Sequence, residues 1–138
     1  MILYIDENMP KHLAEGFNIL QIPENIKNGT EFKVEYLPDV YGYGAKDVDW
    51  IPELGKDSSC IITQDINITR RKDELEIYRK SKIGLFLLKG SSKKKGLSVM
   101  EMIQALSKNW EEICKYSLEE KKPFTYEFSI KGKMKKLK

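Results

Sequence analysis

Three short, mostly apolar runs with no polar alternation constrain this chain more than any other feature: ILYI at residues 2–5, SCIIT at 59–63 and IGLFLL at 83–88. A strand with one wet face alternates apolar and polar residues, whereas a strand apolar at every position must be covered on both faces. Segments of helical character separate the three runs. Buried strands alternating with helices specify an α/β fold, an α/β/α sandwich around a mainly parallel central sheet. The stretch PFTYEFSIKG differs, because Phe124, Tyr126, Phe128 and Ile130 alternate with polar residues. That pattern predicts a one-sided last strand at a sheet edge, free to run parallel or antiparallel.

The intervening segments carry their own signals. Asn8 can cap a helix with Pro10 in its first turn, running through Leu13, Ala14 and Phe17. Residues 18–33, with NIKNGTEF, read as loop. VEYL at 34–37 is a short strand, and the glycine-tyrosine loop DVYGYGAK leads into a helix from Asp47 to Leu54, shortened or bent by Pro52. RRKDELEIYRKSK reads as a helix with Leu75 and Tyr78 on one side. The best-marked helix starts at Ser98, where Ser98 and Glu101 form a capping box inside a Leu97–Met102 staple. Val99, Met102, Ile103, Leu106, Trp110, Ile113 and Cys114 then repeat at helical spacing, a core-facing stripe rather than a cofactor box.

At 138 residues, 41% hydrophobic and 33% charged, the chain fits a single folded domain over 1–138. No apolar run approaches the ~20 residues that cross a bilayer, so no membrane partner is expected. Asp6 and Glu7 break the first apolar run too early for a secretory signal, and the expected location is cytoplasmic. Cys60 and Cys114 lie far apart in apolar contexts and read as buried free thiols. With a single histidine beside them, they do not make the usual four-ligand Cys/His zinc site. The net charge of +3 says little, but its distribution says more: SSKKKG and the tail KGKMKKLK are basic, while acids crowd residues 39–65. Such a chain can attract a polyanion and coordinate cations, or simply carry solvated loops and a fraying tail.

In parallel α/β sheets, function gathers at the carboxyl ends of the strands. Asp6 follows the first strand directly, Asp65 follows the 59–63 strand after Thr63 and Gln64, and Asp47 and Asp49 open the helix after the glycine loop. Carboxylates brought to one sheet edge repel one another unless a cation intervenes. Mg²⁺ or Mn²⁺ answers that need with its preference for carboxylate and water oxygens. Each acid also has a plain structural role: Asp6 as a cap or loop anion, Asp65 as a turn residue, and Asp47 and Asp49 as helix-start acids favoured by the macrodipole. Asn67 can serve as a neutral oxygen ligand or turn the chain, and Glu7 and Glu53 read as surface residues.

YIDENMP, GAKDVDWIPEL and CIITQDINITRR resemble, in this order and strand context, three signature segments of PIN-like nucleases. The resemblance covers residues 2–88 and is to the small-toxin branch, VapC-type and its DUF5615-like relatives. It implies metal-binding acids at Asp6, one or both of Asp47 and Asp49, and Asp65. The family commonly has another acid where this chain has Asn67, and Pro52 inside the short helix is unusual for it. The implied activity is metal-assisted hydrolysis of RNA phosphodiesters, as the toxin of a toxin–antitoxin pair, with RNA and a cognate antitoxin as partners. A homodimer is a further possibility. The alternative is an RNA- or protein-binding module of the same fold with a weakened or inactive metal site.

Around that centre, Thr63 can position a water or a phosphate, or only pack. Arg70 and Arg71 can clamp a phosphate, or face solvent at a helix start. Tyr41 and Tyr43 can stack on unpaired bases, or pack locally. His12 reads as a surface residue, and the mechanism needs no histidine. A dehalogenase-type phosphatase would want Asp-x-Asp after the first strand, where this chain has Asp6-Glu7-Asn8. A receiver-type phosphoacceptor fits only at Lys89.

Overall fold

All three apolar runs form strands in the computed structural model, which describes residues 1–44, 47–56, 58–65, 72–90 and 96–137, with side chains for all but 47–49. In chain order the elements are β1 (Ile2–Ile5), α1 (Lys11–Asn28), β2 (Lys33–Tyr36), α2 (Leu37–Tyr41), α3 (Asp47–Lys56) and β3 (Cys60–Thr63). Then come α4 (Lys72–Lys80), β4 (Gly84–Leu88), α5 (Val99–Glu119), β5 (Phe124–Phe128) and β6 (Lys135–Leu137). The sheet order is β2-β1-β3-β4-β5-β6, parallel throughout except for the antiparallel β5–β6 pair.

The strand side chains divide the core in two. Leu3, Ile5, Cys60, Ile62, Phe86 and Leu88 face the layer made by α1 and α5. Tyr4, Ile61, Leu85 and Leu87 face the layer made by α3 and α4, through Trp50, Ile51, Leu54 and Tyr78. The sheet is therefore covered on both sides, which is why its central strands have no polar alternation.

Several expectations are corrected. The segment 18–33 is not loop: α1 continues to Asn28, passing through Pro23. Asn25 makes this possible by gathering the far end. Its Nδ2 donates to the Phe32 carbonyl at 2.8 Å, and its Oδ1 accepts from Thr30 Oγ1 at 2.9 Å and Gln21 Nε2 at 3.0 Å. Gly29 then ends the helix in the left-handed region, at φ 66°, where a side chain would be strained. The cap of α1 is Pro10, not Asn8, whose side chain is engaged elsewhere. Residues 37–41 form the short helix α2 rather than the end of a strand and a loop.

β5 alternates as expected but is parallel to β4 and is not the edge. The edge is β6, drawn from the basic tail and held antiparallel by Lys136, which bonds the Glu120 carboxylate and lies 5.9 Å over the Tyr126 ring. Lysines on both faces of an edge strand discourage further strand pairing. In α5 the capping box is present, with Glu101 N donating to Ser98 Oγ at 3.2 Å and Ser98 N to Glu101 Oε1 at 2.9 Å. Val99, by contrast, is 43% exposed and lies off the core stripe.

Candidate functional site

The register between β1 and β3 builds the site. Ile5 pairs with Ile62, and Asp6 N–H continues the ladder by donating to the Ile62 carbonyl at 3.0 Å. Asp6 therefore lies beside Thr63, on the sheet face of Tyr4 and Ile61, the one covered by α3. Thr63 is buried, and its hydroxyl donates to Asp6 Oδ2 at 2.7 Å. The same oxygen accepts from Asn8 Nδ2 at 3.0 Å and from Asp65 N–H at 3.1 Å. One hydroxyl thus uses its single donor and both acceptor positions to tie three residues together. The bond to Asp65 N–H turns the chain just past β3 and sets Asp65 at the same edge as Asp6.

Asn8 adds a second clasp across the two strand ends. Its Oδ1 accepts from Gln64 N–H at 3.3 Å, and its carbonyl accepts from Gln64 Nε2 at 2.8 Å. Glu7 is more than a surface acid, because its carboxylate accepts from Gly44 N–H at 3.0 Å and its carbonyl accepts from the Tyr36 hydroxyl at 3.3 Å. The glycine loop ahead of α3 is thereby moored to the end of β1. Gly42 and Gly44 have φ of 83° and 71°, a region glycine enters without strain. Sequence reading missed Asn8 and Glu7 because both roles depend on which strand end lies beside β1. The spacing DEN-x-P was the only local signal.

Burial pushes the Asp6 carboxyl above its ordinary value; the bonds from Thr63 and Glu7 N–H oppose this, and the charges of Glu7 and Asp65 add to it. Burial also drives the Tyr36 hydroxyl up to about 12, helped by hydrogen bonding to Tyr43 and by the charges of Tyr43, Glu7 and Asp6. A cavity of about 20 Å³, lined by Asp6, Glu7, Tyr41, Gly42 and Trp50, lies between the strand end and α3. That is room for about one water-sized group.

Among the described residues each Asp6 carboxylate oxygen accepts one bond, and each can accept another. This all-oxygen donor set, with a neighbouring carboxylate, fits a hard divalent cation. Among the described residues no group of three or more His, Cys, Asp or Glu is placed to hold a metal. Asp47 and Asp49 stand at the start of α3, the helix that covers the Asp6 face, and their side chains lie outside the described residues. Asn67, Arg70 and Arg71 also lie outside them. Tyr41 packs against Tyr4 and Trp50, with ring centroids 6.4 and 6.2 Å away. Tyr43 is 73% exposed and meets only the Tyr36 edge among the described ring contacts. His12 is exposed. No helix among the described residues is long and apolar enough to cross a membrane.

Comparison with curated proteins and with solved structures yields no match. A family model described as PIN like domain matches residues 1–90, the span from β1 through β4 that carries Asp6, α3 and Asp65. With that match over more than half its length, the chain belongs to the PIN-like domain family, whose fold is of the nuclease type.

Proposed function

We propose that the chain is a metal-dependent ribonuclease of the VapC-type or DUF5615-like branch, the toxin of a toxin–antitoxin pair. The observation that carries this reading is the meeting of Asp6 and Asp65 at the ends of adjacent parallel strands, both held by the Thr63 hydroxyl. Two carboxylates at the open end of a sheet destabilise each other electrostatically, which makes the arrangement expensive without a cation. Asp6, Asp65 and one or both of Asp47 and Asp49 would hold Mg²⁺ or Mn²⁺, with Asn67 as a neutral oxygen donor.

A divalent ion bound there would supply an activated water and charge neutralisation at the phosphate. The chain's own work is positional. Thr63 holds the Asp6 carboxylate, Asn8 holds Thr63 and Gln64, and Glu7 holds the loop that delivers α3. Arg70 and Arg71 would contact the scissile phosphate, and exposed Tyr43 would stack on an unpaired base.

Cleavage of unstructured and structured RNA with Mg²⁺ or Mn²⁺ tests the proposal. Asp6→Asn and Asp65→Asn should each abolish turnover, and cleavage that survives both sinks the assignment. The toxin role predicts growth arrest on expression, relieved by a protein encoded beside it; harmless overexpression counts against it. Asn67, in place of the family's acid, favours a second reading, a binding module with a weakened centre. A folded chain that takes up no Mn²⁺ in calorimetry would establish that second reading instead.

A further inference from the structure

The carboxyl edge of the sheet changes sign from one side to the other. Asp6 and Asp65 follow β1 and β3, whereas Lys89 follows β4 and the turn from β5 to β6 carries Lys131 and Lys133. Thr63 pairs with Leu87, so Asp65 and Lys89 each stand two residues past the same rung of the ladder. Lys89 N–H still donates to the Phe128 carbonyl at 2.8 Å, so the strand path continues to this point. Its side chain therefore follows Leu85 and Leu87 onto the sheet face that Asp6 shares with Tyr4 and Ile61. β4 is two strand spacings from β1, about 10 Å, and β5 is three, about 14 Å. The lysine turn is braced from α5. Lys108 Nζ donates to the Ile130 carbonyl at 2.9 Å and to the Gly132 carbonyl at 3.1 Å, and buried Asn109 donates from Nδ2 to the Ser129 carbonyl at 3.1 Å. Lys131 and Lys133 flank Gly132 and are exposed, and no ion pair among the described residues takes up either.

Between that turn and the end of β4 lies a cavity of about 500 Å³, lined by Lys89, Gly90, Leu97, Glu101, Ile130 and Lys131, with Ser129. Small-molecule pockets span about 300–1,000 Å³, so it can take one nucleotide-sized group. Leu97 and half-buried Ile130 give it an apolar wall, and Lys89 and Lys131 a cationic rim. Glu101, the acid in the lining, is engaged by its own cap, where it accepts from Ser98 N–H at 2.9 Å. Lys89 Nζ lies 3.5 Å from the Glu127 carboxylate, yet its side chain is more than half exposed and open to a second anion. We propose that this cavity seats a nucleotide flanking the scissile bond, with Lys89 and Lys131 on its phosphates, Leu97 and Ile130 against its base, and Lys133 on the phosphate beyond. The inference rests on the ribonuclease reading for the identity of the strand. Asp6 and Asp65 repel a polyanion until a cation joins them, whereas the lysine half of the edge attracts and orients it. A base enters such a cavity only from an unpaired strand, so the substrate class is single-stranded RNA.

Fluorescence anisotropy of a labelled oligouridylate with the full chain, in EDTA and from about 50 to 200 mM salt, tests this without cleavage. The wild-type chain should bind and lose affinity with salt. Lys89→Ala combined with Lys131→Ala should flatten the log–log salt slope by about 1.4, or 0.7 for each phosphate contact given up, with an unchanged circular dichroism spectrum. Glu127→Gln should tighten binding about two- to fivefold by removing the acid that competes for Lys89. Lys121→Ala, exposed ahead of β5 at the opposite end of the strand, should change nothing. With Mg²⁺ present, the double variant should raise KM and leave kcat unchanged. An oligouridylate that does not bind, a slope that the double variant leaves as steep, or an equal loss in Lys121→Ala overturns the proposal. So does inorganic polyphosphate that competes as well as the oligonucleotide, since it carries the charge without a base. A chain that binds through these lysines yet never cuts the strand removes the ribonuclease reading and leaves the subsite. A chain that cuts with the same KM in the double variant removes the subsite and leaves the centre.

Discussion

Thr63 shows how much of the site depends on one buried hydroxyl. Valine has nearly its shape but neither donor nor acceptor. Thr63→Val would leave Asn8 Nδ2 and Asp65 N–H without their acceptor and Asp6 Oδ2 without its donor. Asn8 is exposed and can turn to water, but the half-buried Asp6 carboxylate and Asp65 N–H lose a partner at a cost of about 1–3 kcal/mol. The urea midpoint should fall accordingly at unchanged slope, while Thr63→Ser should retain most of the stability. That Asp6 and Asp65 each follow a buried strand is readable in the residues themselves. That the strands are neighbours, and that Thr63 stands between the two acids, is not. Asn8 and Thr63 are 55 residues apart, and nothing local to either names the other.

Two elements show local and distant control side by side. The start of α5 is a local matter, since cap and box lie within four residues, and it was legible for that reason. Ser98→Ala should cost about 1 kcal/mol, read as a lower thermal midpoint with the fold retained. The junction of β3, β4 and β5 is a distant matter. A Cβ on Gly84 would meet Cys60 Sγ at 2.6 Å and Phe124 Cε2 at 2.8 Å, from the strands on either side. Gly84→Ala should therefore destabilise by about 1–3 kcal/mol through overpacking, measured by chemical denaturation. The side of the sheet that α5 covers was equally hidden. The steps β3 to β4 and β4 to β5 go the same way across the sheet, so crossovers of one hand would place α4 and α5 together. They lie on opposite faces. Trp110 draws α5 beside α1 by packing on Phe17, with centroids 4.5 Å apart, and by donating to Gln21 Oε1 at 3.0 Å.

At the scale of the whole molecule, the sheet closes through an electrostatic latch. Glu120 receives bonds from Lys136 and from the Tyr126 hydroxyl, which hold its carboxyl below the ordinary value of 4.5. A depressed folded value means the latch stabilises β6 fully above pH 4.5 and is lost as pH falls through the lowered value. Amide protection factors for residues 135–137 should therefore drop selectively at acid pH, while those of β3 and β4 persist. Glu120→Gln should lower the β6 protection at neutral pH and remove its acid dependence. Residue pattern alone determined that this chain forms an α/β sandwich, where its three buried strands lie, and that acids follow two of them. Those features rest on periodicity, caps and turn chemistry within a few residues. Tertiary structure alone decided the strand order, the reach of α1 through Pro23, the recruitment of the lysine tail as an edge strand, and the clasp of Asn8 and Glu7 around the strand ends. Each depends on groups far apart in the chain, as with the 89 residues between Gln21 and Trp110, whose meeting is settled by packing and register rather than by local preference.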